Sequence, residues 1–450
     1  MKIDRLNPLP RAGLFLAAAL WTNSAMLQAA DAPPAEPFDF EEASRNVPKP
    51  REIWPVVRQH CVPLEWKVLA DEVVASDTNP SLTLRRVTAH FWSQELAGKK
   101  WGHSCTILLP ADESRTRAPS RKGKVVILGC PGGDHYPIHV AKYGEPIAAR
   151  TGYPTLVLCN PGAYPDGSDI EPDIGVLGRL ARETGQNHYN MNCQLAVVYI
   201  QAMNALQQFL NLDTLRAIVG GHSKRGRSAT VAAAMDPRVA SVIVMGNEGV
   251  HRTNRIEPHL SFHHAFFQEQ VEAPVFYLGA SNEDGYRMFN VNILQERLRR
   301  PMTIEIIPNY NHANYSEIQF MDFLMWVAHV FDGRPLSRIS EVTHRRERNG
   351  TLFRARISGD AKVQVVKAWY AFTDDPAWRD VMWYHVIMRP AGGFHEGWLP
   401  GKMPDAFLIE VGDIALGFPG YISSLPQNLS GVPAIERVSR GPYPRLWSPR

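Results

Sequence analysis

Residues 214–235, Thr-Leu-Arg-Ala-Ile-Val-Gly-Gly-His-Ser-Lys-Arg-Gly-Arg-Ser-Ala-Thr-Val-Ala-Ala-Ala-Met, read as a buried strand, a tight turn and a buried helix. The apolar run Ala217, Ile218, Val219 ends at Gly220 and Gly221, and Ala229, Ala232 and Ala233 then recur at helical spacing. Ser223 falls on the corner between the two. A serine there is exposed on a sharp turn, and the helix N-terminus offers backbone N–H groups to a developing oxyanion. The usual spacing of such a corner is Gly-x-Ser-x-Gly, whereas Gly221-His-Ser-Lys-Arg-Gly226 carries its second glycine one place late. The same letters suit an ordinary strand-to-helix turn or a helix N-cap. The decision therefore rests on whether an acid and a histidine follow at the ends of later strands.

Outward from this stretch, residues 123–334 alternate strands and helices, the mark of a mostly parallel sheet. Strands are expected at Lys124–Gly129, Pro154–Cys159, Ala240–Met245, Pro274–Ala280 and Pro301–Pro308, with helices at Met191–Leu210 and Glu317–Phe331. Before them, Trp66–Ala75, Leu82–Ser93 and Cys105–Pro110 read as an antiparallel start to the sheet. After Pro335 the alternation stops. Short strands rich in Val, Trp and Tyr (Thr351–Ile357, Val363–Phe372, Val381–Met388, Phe407–Val411) predict a small C-terminal all-β domain of sandwich type over 335–450. Its Trp369, Trp378, Trp383 and Trp398 suit either core packing or a sugar-binding platform.

In an open parallel sheet, reactive groups sit in loops at the carboxyl ends of the strands. The strand ending at Ala280 runs into Ser281-Asn-Glu-Asp-Gly285, so Glu283, or Asp284 in its place, stands where an acid would orient a histidine. The next strand runs into Asn309-Tyr-Asn-His312, ahead of the closing helix. The order serine, acid, histidine, each after its own strand, points to nucleophilic acyl transfer with Ser223 as nucleophile and His312 as base. The oxyanion donors are expected from the N–H of Lys224 and from the loop Gly132-Gly133-Asp134. Lys224 and Arg225 would line a cationic rim for an acidic substrate group, or be tied up by loop acids such as Asp134; His222 and Arg225 are candidate substrate contacts. His222 and His135 lack the spacing and the acid that would complete a metal-ligand set, so neither metal nor cofactor is expected.

The chain of 450 residues, 44% hydrophobic, can bury a large core. Lys2, Arg5 and Arg11 precede the apolar run Ala12–Trp21, and small residues follow at Ala29 and Ala30, the layout of a secretory signal peptide over 1–30. A Pro-rich extended leader over 31–50 then opens the mature chain, and the hydrolase-type domain is expected over 51–334. Cleavage would remove three positive charges (Lys2, Arg5, Arg11) and one negative (Asp4), lowering the formal charge from +3 to +1. No basic face for nucleic acid is implied, no stable membrane insertion remains after cleavage, and the expected location is periplasmic or extracellular. Five cysteines leave at least one unpaired; they read as buried hydrophobes or as one late-forming pair.

The stretch Gly221-His-Ser-Lys-Arg-Gly226, with Phe91-Trp-Ser-Gln94, Trp101-Gly-His-Ser-Cys-Thr-Ile-Leu-Leu-Pro110 and the terminal β domain, resembles the PhoPQ-activated pathogenicity-related proteins, an exported branch of the α/β-hydrolases. It is more distantly similar to glucuronoyl esterases, which share a basic residue directly after the serine and a glycine three places on. The resemblance implies an α/β-hydrolase fold with helices on both faces of the sheet, Ser223 as nucleophile and His312 as base. It departs at the acid, where Asn282 stands at the Gly-x-x-Asp position counted from Gly279, and at Arg227, where an aromatic is common. The expectation is an exported serine esterase acting on polar or carbohydrate-linked esters. A peptidase or amidase, or a binding protein that kept the fold without turnover, is the alternative.

Overall fold

The computed structural model describes residues 49–431 apart from 78, 97, 113–117, 119, 134, 175–176, 178–182, 185–188, 247–266, 283–287, 290, 293–294, 296–301, 313–315, 374–377 and 379–380. The expected signal peptide and nearly all of the leader lie outside the described residues. Helix α1 (Pro50–Val57) begins within the end of that leader, with Pro50 at its first position, where a helix needs no N–H. Strands β1 (Trp66–Ala75), β2 (Thr83–Leu96) and β3 (Lys99–Pro110) follow as an antiparallel meander. The alternating segment is β4 (Lys124–Cys130), α2 (Glu145–Thr151), β5 (Thr155–Cys159), α3 (Met191–Phe209), β6 (Arg216–His222), α4 (Lys224–Met235), β7 (Val239–Met245), β8 (Val275–Ala280), β9 (Thr303–Ile307) and α5 (Glu317–Asp332).

These strands form one nine-stranded sheet in the order β1-β2-β3-β5-β4-β6-β7-β8-β9, parallel from β5 to β9. Its central strands are continuous apolar runs because both faces are covered. Side chains alternate between the two: Val125, Ile127, Ala217 and Val219 pack with α3 and α4, while Val126, Leu128 and Ile218 pack with α2 and α5. Asn190 caps α3 through the Asn192 N–H (2.8 Å), and Ser316 caps α5 through the Gln319 N–H (3.1 Å). From β4 the chain moves to β5 on one side and then returns to β6 on the other. The crevice outside the carboxyl ends of β4 and β6 is therefore the switch point where this architecture holds ligands. This is the α/β-hydrolase fold.

The C-terminal part is antiparallel: β10 (Arg338–Glu347), β11 (Gly350–Ser358), β12 (Lys362–Ala371), β13 (Trp383–Ile387), β14 (Arg389–Ala391), β15 (Phe394–Pro400), β16 (Ala406–Ala415), β17 (Phe418–Ser423) and β18 (Gln427–Asn428). One sheet runs β10-β11-β15-β14 and the other β13-β12-β16-β17, with β18 beside β16. They face one another across Phe353 and Phe407, whose rings are 5.0 Å apart. Trp378 and Trp383 are buried in the core that β16 shares with the hydrolase domain, while Trp398 is 41% exposed, so the four tryptophans do not make one platform. All five cysteines are free thiols: four are buried and Cys61 is half-buried.

The seam between the two parts is charged. Glu305 on β9, Asp322 on α5 and Glu410 on β16 are completely buried. The Ser423 hydroxyl donates to Glu305 (2.7 Å), the Tyr421 N–H to Asp322 (2.6 Å) and the Lys367 ammonium to Glu410 (2.7 Å). One oxygen of each carboxyl meets no partner among the described residues. Nearby, Arg334 pairs with Asp413. Burial, then the charges of Glu410 and Asp322, hold the Glu305 carboxyl well above its ordinary 4.5; burial first raises Asp322 well above 3.8, against the pull of the Tyr421 N–H and Arg334. The folded chain thus keeps protons that the unfolded chain releases above the ordinary carboxylate range. This contribution to stability is full below that range and is lost as pH rises, by about 1.4 kcal/mol per pH unit for each extra proton. Urea denaturation between pH 5 and 8 should show Glu305→Gln with a less negative stability slope than the parent; parallel slopes would refute the assignment.

Candidate active site

Ser223 closes β6 and opens α4 with φ 57° and ψ −128°, a backbone conformation that costs a non-glycine residue roughly 1–3 kcal/mol. Neighbours hold it there. The Ser223 N–H donates to the Met245 carbonyl (2.8 Å), and its own carbonyl accepts from the Gly226 N–H (2.9 Å). The Tyr199 hydroxyl from α3 lies within hydrogen-bond reach of both the Gly220 (2.9 Å) and Arg225 (3.2 Å) carbonyls. A Cβ on Gly221 would come within 2.5 Å of that hydroxyl and 2.6 Å of the Arg225 Cβ. A Cβ on Gly226 would meet Val244 at 2.8 Å and the Gly221 carbonyl at 2.9 Å. The late second glycine is thus explained. Gly221 makes room for the side chain at 225, and Gly226 lets α4 press onto β7.

His312, in the turn after β9, brings its Nε2 to 3.0 Å from the Ser223 Oγ, so residues 89 apart in sequence meet as nucleophile and base would. Both acid candidates, Glu283 and Asp284, lie outside the described residues, as does Asp134. The residues just ahead of His312 are fastened at several points. Asn309 sits at φ 62°, a left-handed position that asparagine tolerates, and its N–H donates to the Ser281 hydroxyl (2.8 Å). Its side chain reaches the C-terminal domain, donating to the Trp383 carbonyl (3.0 Å) and accepting from the Trp383 N–H (2.7 Å). Asn282, where the resembling families carry an acid, donates its amide to the Val381 carbonyl (2.7 Å). The loops after β8 and β9 are therefore both fastened to the segment leading into β13.

His222, expected as a substrate contact, meets the turn of His312. Its Nε2 faces the main-chain carbonyl of His312, which can only accept, so that nitrogen carries the proton. Burial, and then the neighbouring His312, push its pKa down from 6.5 to about 3, leaving the ring neutral. The two imidazoles lie 4.7 Å apart, and Gly246 is needed beside them, because a Cβ there would sit 2.7 Å from His222 Nε2. His222 steadies the backbone of His312.

Arg225 also departs from the expected rim. It is 5% exposed, and its guanidinium donates to the Asn160 carbonyl (2.6 Å) and to Glu171 (2.5 Å). Lys224 pairs with the other oxygen of Glu171. One carboxylate from the short 3-10 turn Glu171–Asp173 thus clamps both cations and ties the loop after β5 to the nucleophile corner. The salt-bridge alternative holds, with Glu171 as the acid. Its position in a loop without periodicity hid it from sequence reading. Tyr199, Asn160 and Gly246 were missed for a different reason: each acts through its shape or its main chain, and composition carries no trace of that.

For an oxyanion, the Lys224 N–H stands at the first position of α4, where no intrahelical acceptor exists. Parallel register sets Gly129 beside Gly221, which brings the end of β4 and its glycine loop next to the corner. Gly133 takes φ 61°, and neither it nor Gly132 has an atom within 4 Å of a built Cβ, so this loop leaves open space at the crevice. Among the described residues no three His, Cys, Asp or Glu stand together to hold a metal ion, and no helix is long and apolar enough to cross a membrane.

No family model matches the chain, and no curated protein matches it in sequence. Among solved structures it is similar to an acetyl xylan esterase from a Paenibacillus species, with TM-score 0.43 and 14% identity over 62% of this chain and 95% of that one. Acetyl xylan esterase 1 from a Thermoanaerobacterium species gives TM-score 0.42 and 12% identity over 64% and 99%. The glucuronoyl esterase from Solibacter usitatus gives 0.39 and 14% over 61% and 90%.

Replacing Asn309 with alanine removes both bonds to Trp383 and leaves a left-handed residue without its polar side chain. Ester turnover is expected to drop about tenfold or more in kcat with KM nearly unchanged, because the base is displaced while the pocket stays. A kcat equal to the parent's would show that the seam does not position His312.

Proposed function

We propose that the chain is an exported serine hydrolase that works through an acyl-enzyme, and that its substrates are polar or carbohydrate-linked esters. The observation that carries this reading is the 3.0 Å approach of His312 Nε2 to Ser223 Oγ at a strained strand-to-helix corner. Among the described residues its side chain makes no cap bond to α4, and its hydroxyl meets His312 instead.

In the forward step Ser223 Oγ attacks the ester carbonyl while its proton passes to His312 Nε2. The oxygen of the tetrahedral adduct faces the Lys224 N–H and the glycine loop after β4. Removing one such donor typically lowers turnover by roughly a hundred- to a thousandfold. His312 then returns the proton to the departing alkoxide, which leaves as the alcohol. Water, deprotonated by the same nitrogen, releases the acyl group as a carboxylic acid and restores Ser223. The imidazolium formed on the way needs a carboxylate at Nδ1, and Glu283 or Asp284 supplies it from the loop after β8.

The polar character of the substrate is supported by the lip of the site. Lys224 and Glu171 keep 26% and 34% of their side chains exposed beside the nucleophile, a wet and charged border that suits a sugar or another polar group better than a lipid chain. The likeness of Gly221-His-Ser-Lys-Arg-Gly226 to the PhoPQ-activated pathogenicity-related proteins and the basic, then apolar, N-terminal run support the exported branch of the fold.

A fluorophosphonate probe tests the reading directly. The parent protein is expected to label, and Ser223→Ala to lose both labelling and at least about a thousandfold of its p-nitrophenyl acetate hydrolysis. Of Glu283→Gln and Asp284→Asn, only the variant of the true triad acid should label slowly. A parent chain that does not label, or a Ser223→Ala variant with undiminished turnover, would leave a binding protein on a hydrolase fold.

A further inference from the structure

The C-terminal domain turns one sheet face outward. In the sheet β10-β11-β15-β14, Phe353, Ala355 and Leu399 are buried on the inner side, so alternation places Leu352, Arg354 and Arg356 of β11 and Phe394, Glu396 and Trp398 of β15 on the other. The register sets them in rows. Arg345, Leu352 and Trp398 stand abreast on β10, β11 and β15, and Thr343, Arg354 and Glu396 form the next row. These side chains therefore share one surface.

Trp398 is its apolar centre. The indole covers Gly350 on β11, where a built Cβ would fall 2.4 Å from Cζ2 and 2.8 Å from Cε2. A glycine there lets the ring close onto the neighbouring strand, yet Trp398 stays 41% exposed, with half-buried Leu352 beside it. Four residues back along β15, roughly 13 Å away, two guanidiniums cover the Phe394 ring, with Arg354 Cζ 3.5 Å and Arg356 Cζ 4.2 Å from its centroid. The charges of this face cancel: Arg345 pairs with Glu347, Arg354 with Glu396 (3.4 Å) and Arg356 with Glu341 (2.6 Å). Each pair keeps further donors and acceptors for a ligand, because a guanidinium has more N–H groups, and a carboxylate more lone pairs, than one such contact uses.

We propose that this face binds a neutral glycan, with one sugar ring stacked on Trp398 and its hydroxyls bonded to the Arg345–Glu347 and Arg354–Glu396 pairs. A sugar ring offers C–H groups on its face and hydroxyls around its edge, so it matches an indole bordered by alternating donors and acceptors. An anionic glycan would have to part a guanidinium from its carboxylate, and an alkyl chain would dry the ion pairs without giving any hydrogen bond in return. The face is built by the C-terminal sheet alone, so it stands or falls separately from the hydrolase reading.

Affinity electrophoresis of the full chain tests it, in native gels cast with arabinoxylan, mannan, β-glucan or starch, and with polygalacturonate as the acidic comparison. At least one neutral glycan should retard the protein. Trp398→Ala should need about tenfold more of that glycan, or beyond, for equal retardation, and Trp398→Tyr only about threefold more. Leu352→Glu keeps the ring and its packing on Gly350 but sets an uncompensated charge beside it; about threefold weaker retardation is expected. Ser223→Ala should be retarded as the parent is. Unchanged mobility in every neutral gel, retardation by polygalacturonate alone, retardation undiminished in a folded Trp398→Ala or in Leu352→Glu, or its loss in Ser223→Ala would each overturn the proposal.

Discussion

The backbone of Ser223 stands in a region that only glycine enters freely, and everything around the corner is arranged to keep it there. The Tyr199 hydroxyl carries much of that burden. It reaches the main chain on both sides of the nucleophile, at Gly220 and Arg225, and occupies the volume that a side chain on Gly221 would need. Helix α3 is thereby locked to β6 and to the first turn of α4 through one oxygen atom. The strain at the corner is stable because α3, α4 and β7 would each have to move before it could relax.

Charge near the nucleophile follows the same economy. Two adjacent cations beside Ser223 would draw anions indiscriminately if left free. Here Glu171 meets both, and Arg225 spends a further donor on the Asn160 carbonyl. The side chain that replaces the usual small residue two places after the serine has become a strut between α4 and the loop after β5. Its charge is compensated and its length is what the structure uses.

Much of the scaffold was legible because it depends on periodicity. The run Ala217–Val219 closed by two glycines, the small residues of α4, and the apolar α5 each announce their element, and the order of Ser223 and His312, each after its own strand, follows from chain direction alone. β10 and β15 escaped because their faces carry charge and half-exposed side chains, so no alternation marks them. Charges at 224 and 225 left two readings open, rim or salt bridge, because a sequence shows that a cation exists but not which carboxylate lies across a fold from it. The roles of Asn282 and Asn309 were equally hidden, since each depends on a main-chain group some 70 to 100 residues further on.

Those two asparagines tie the site to both halves of the chain. Ser223 and His312 both precede residue 340, yet the turn that aims the imidazole is anchored to residues 381–383, where β13 begins beside β12, which pairs in turn with β16. A chain without residues 381–383 would hold both side chains yet lack the bonds that set the turn ahead of His312. The register of the pair therefore belongs to the two halves of the polypeptide jointly and to neither alone.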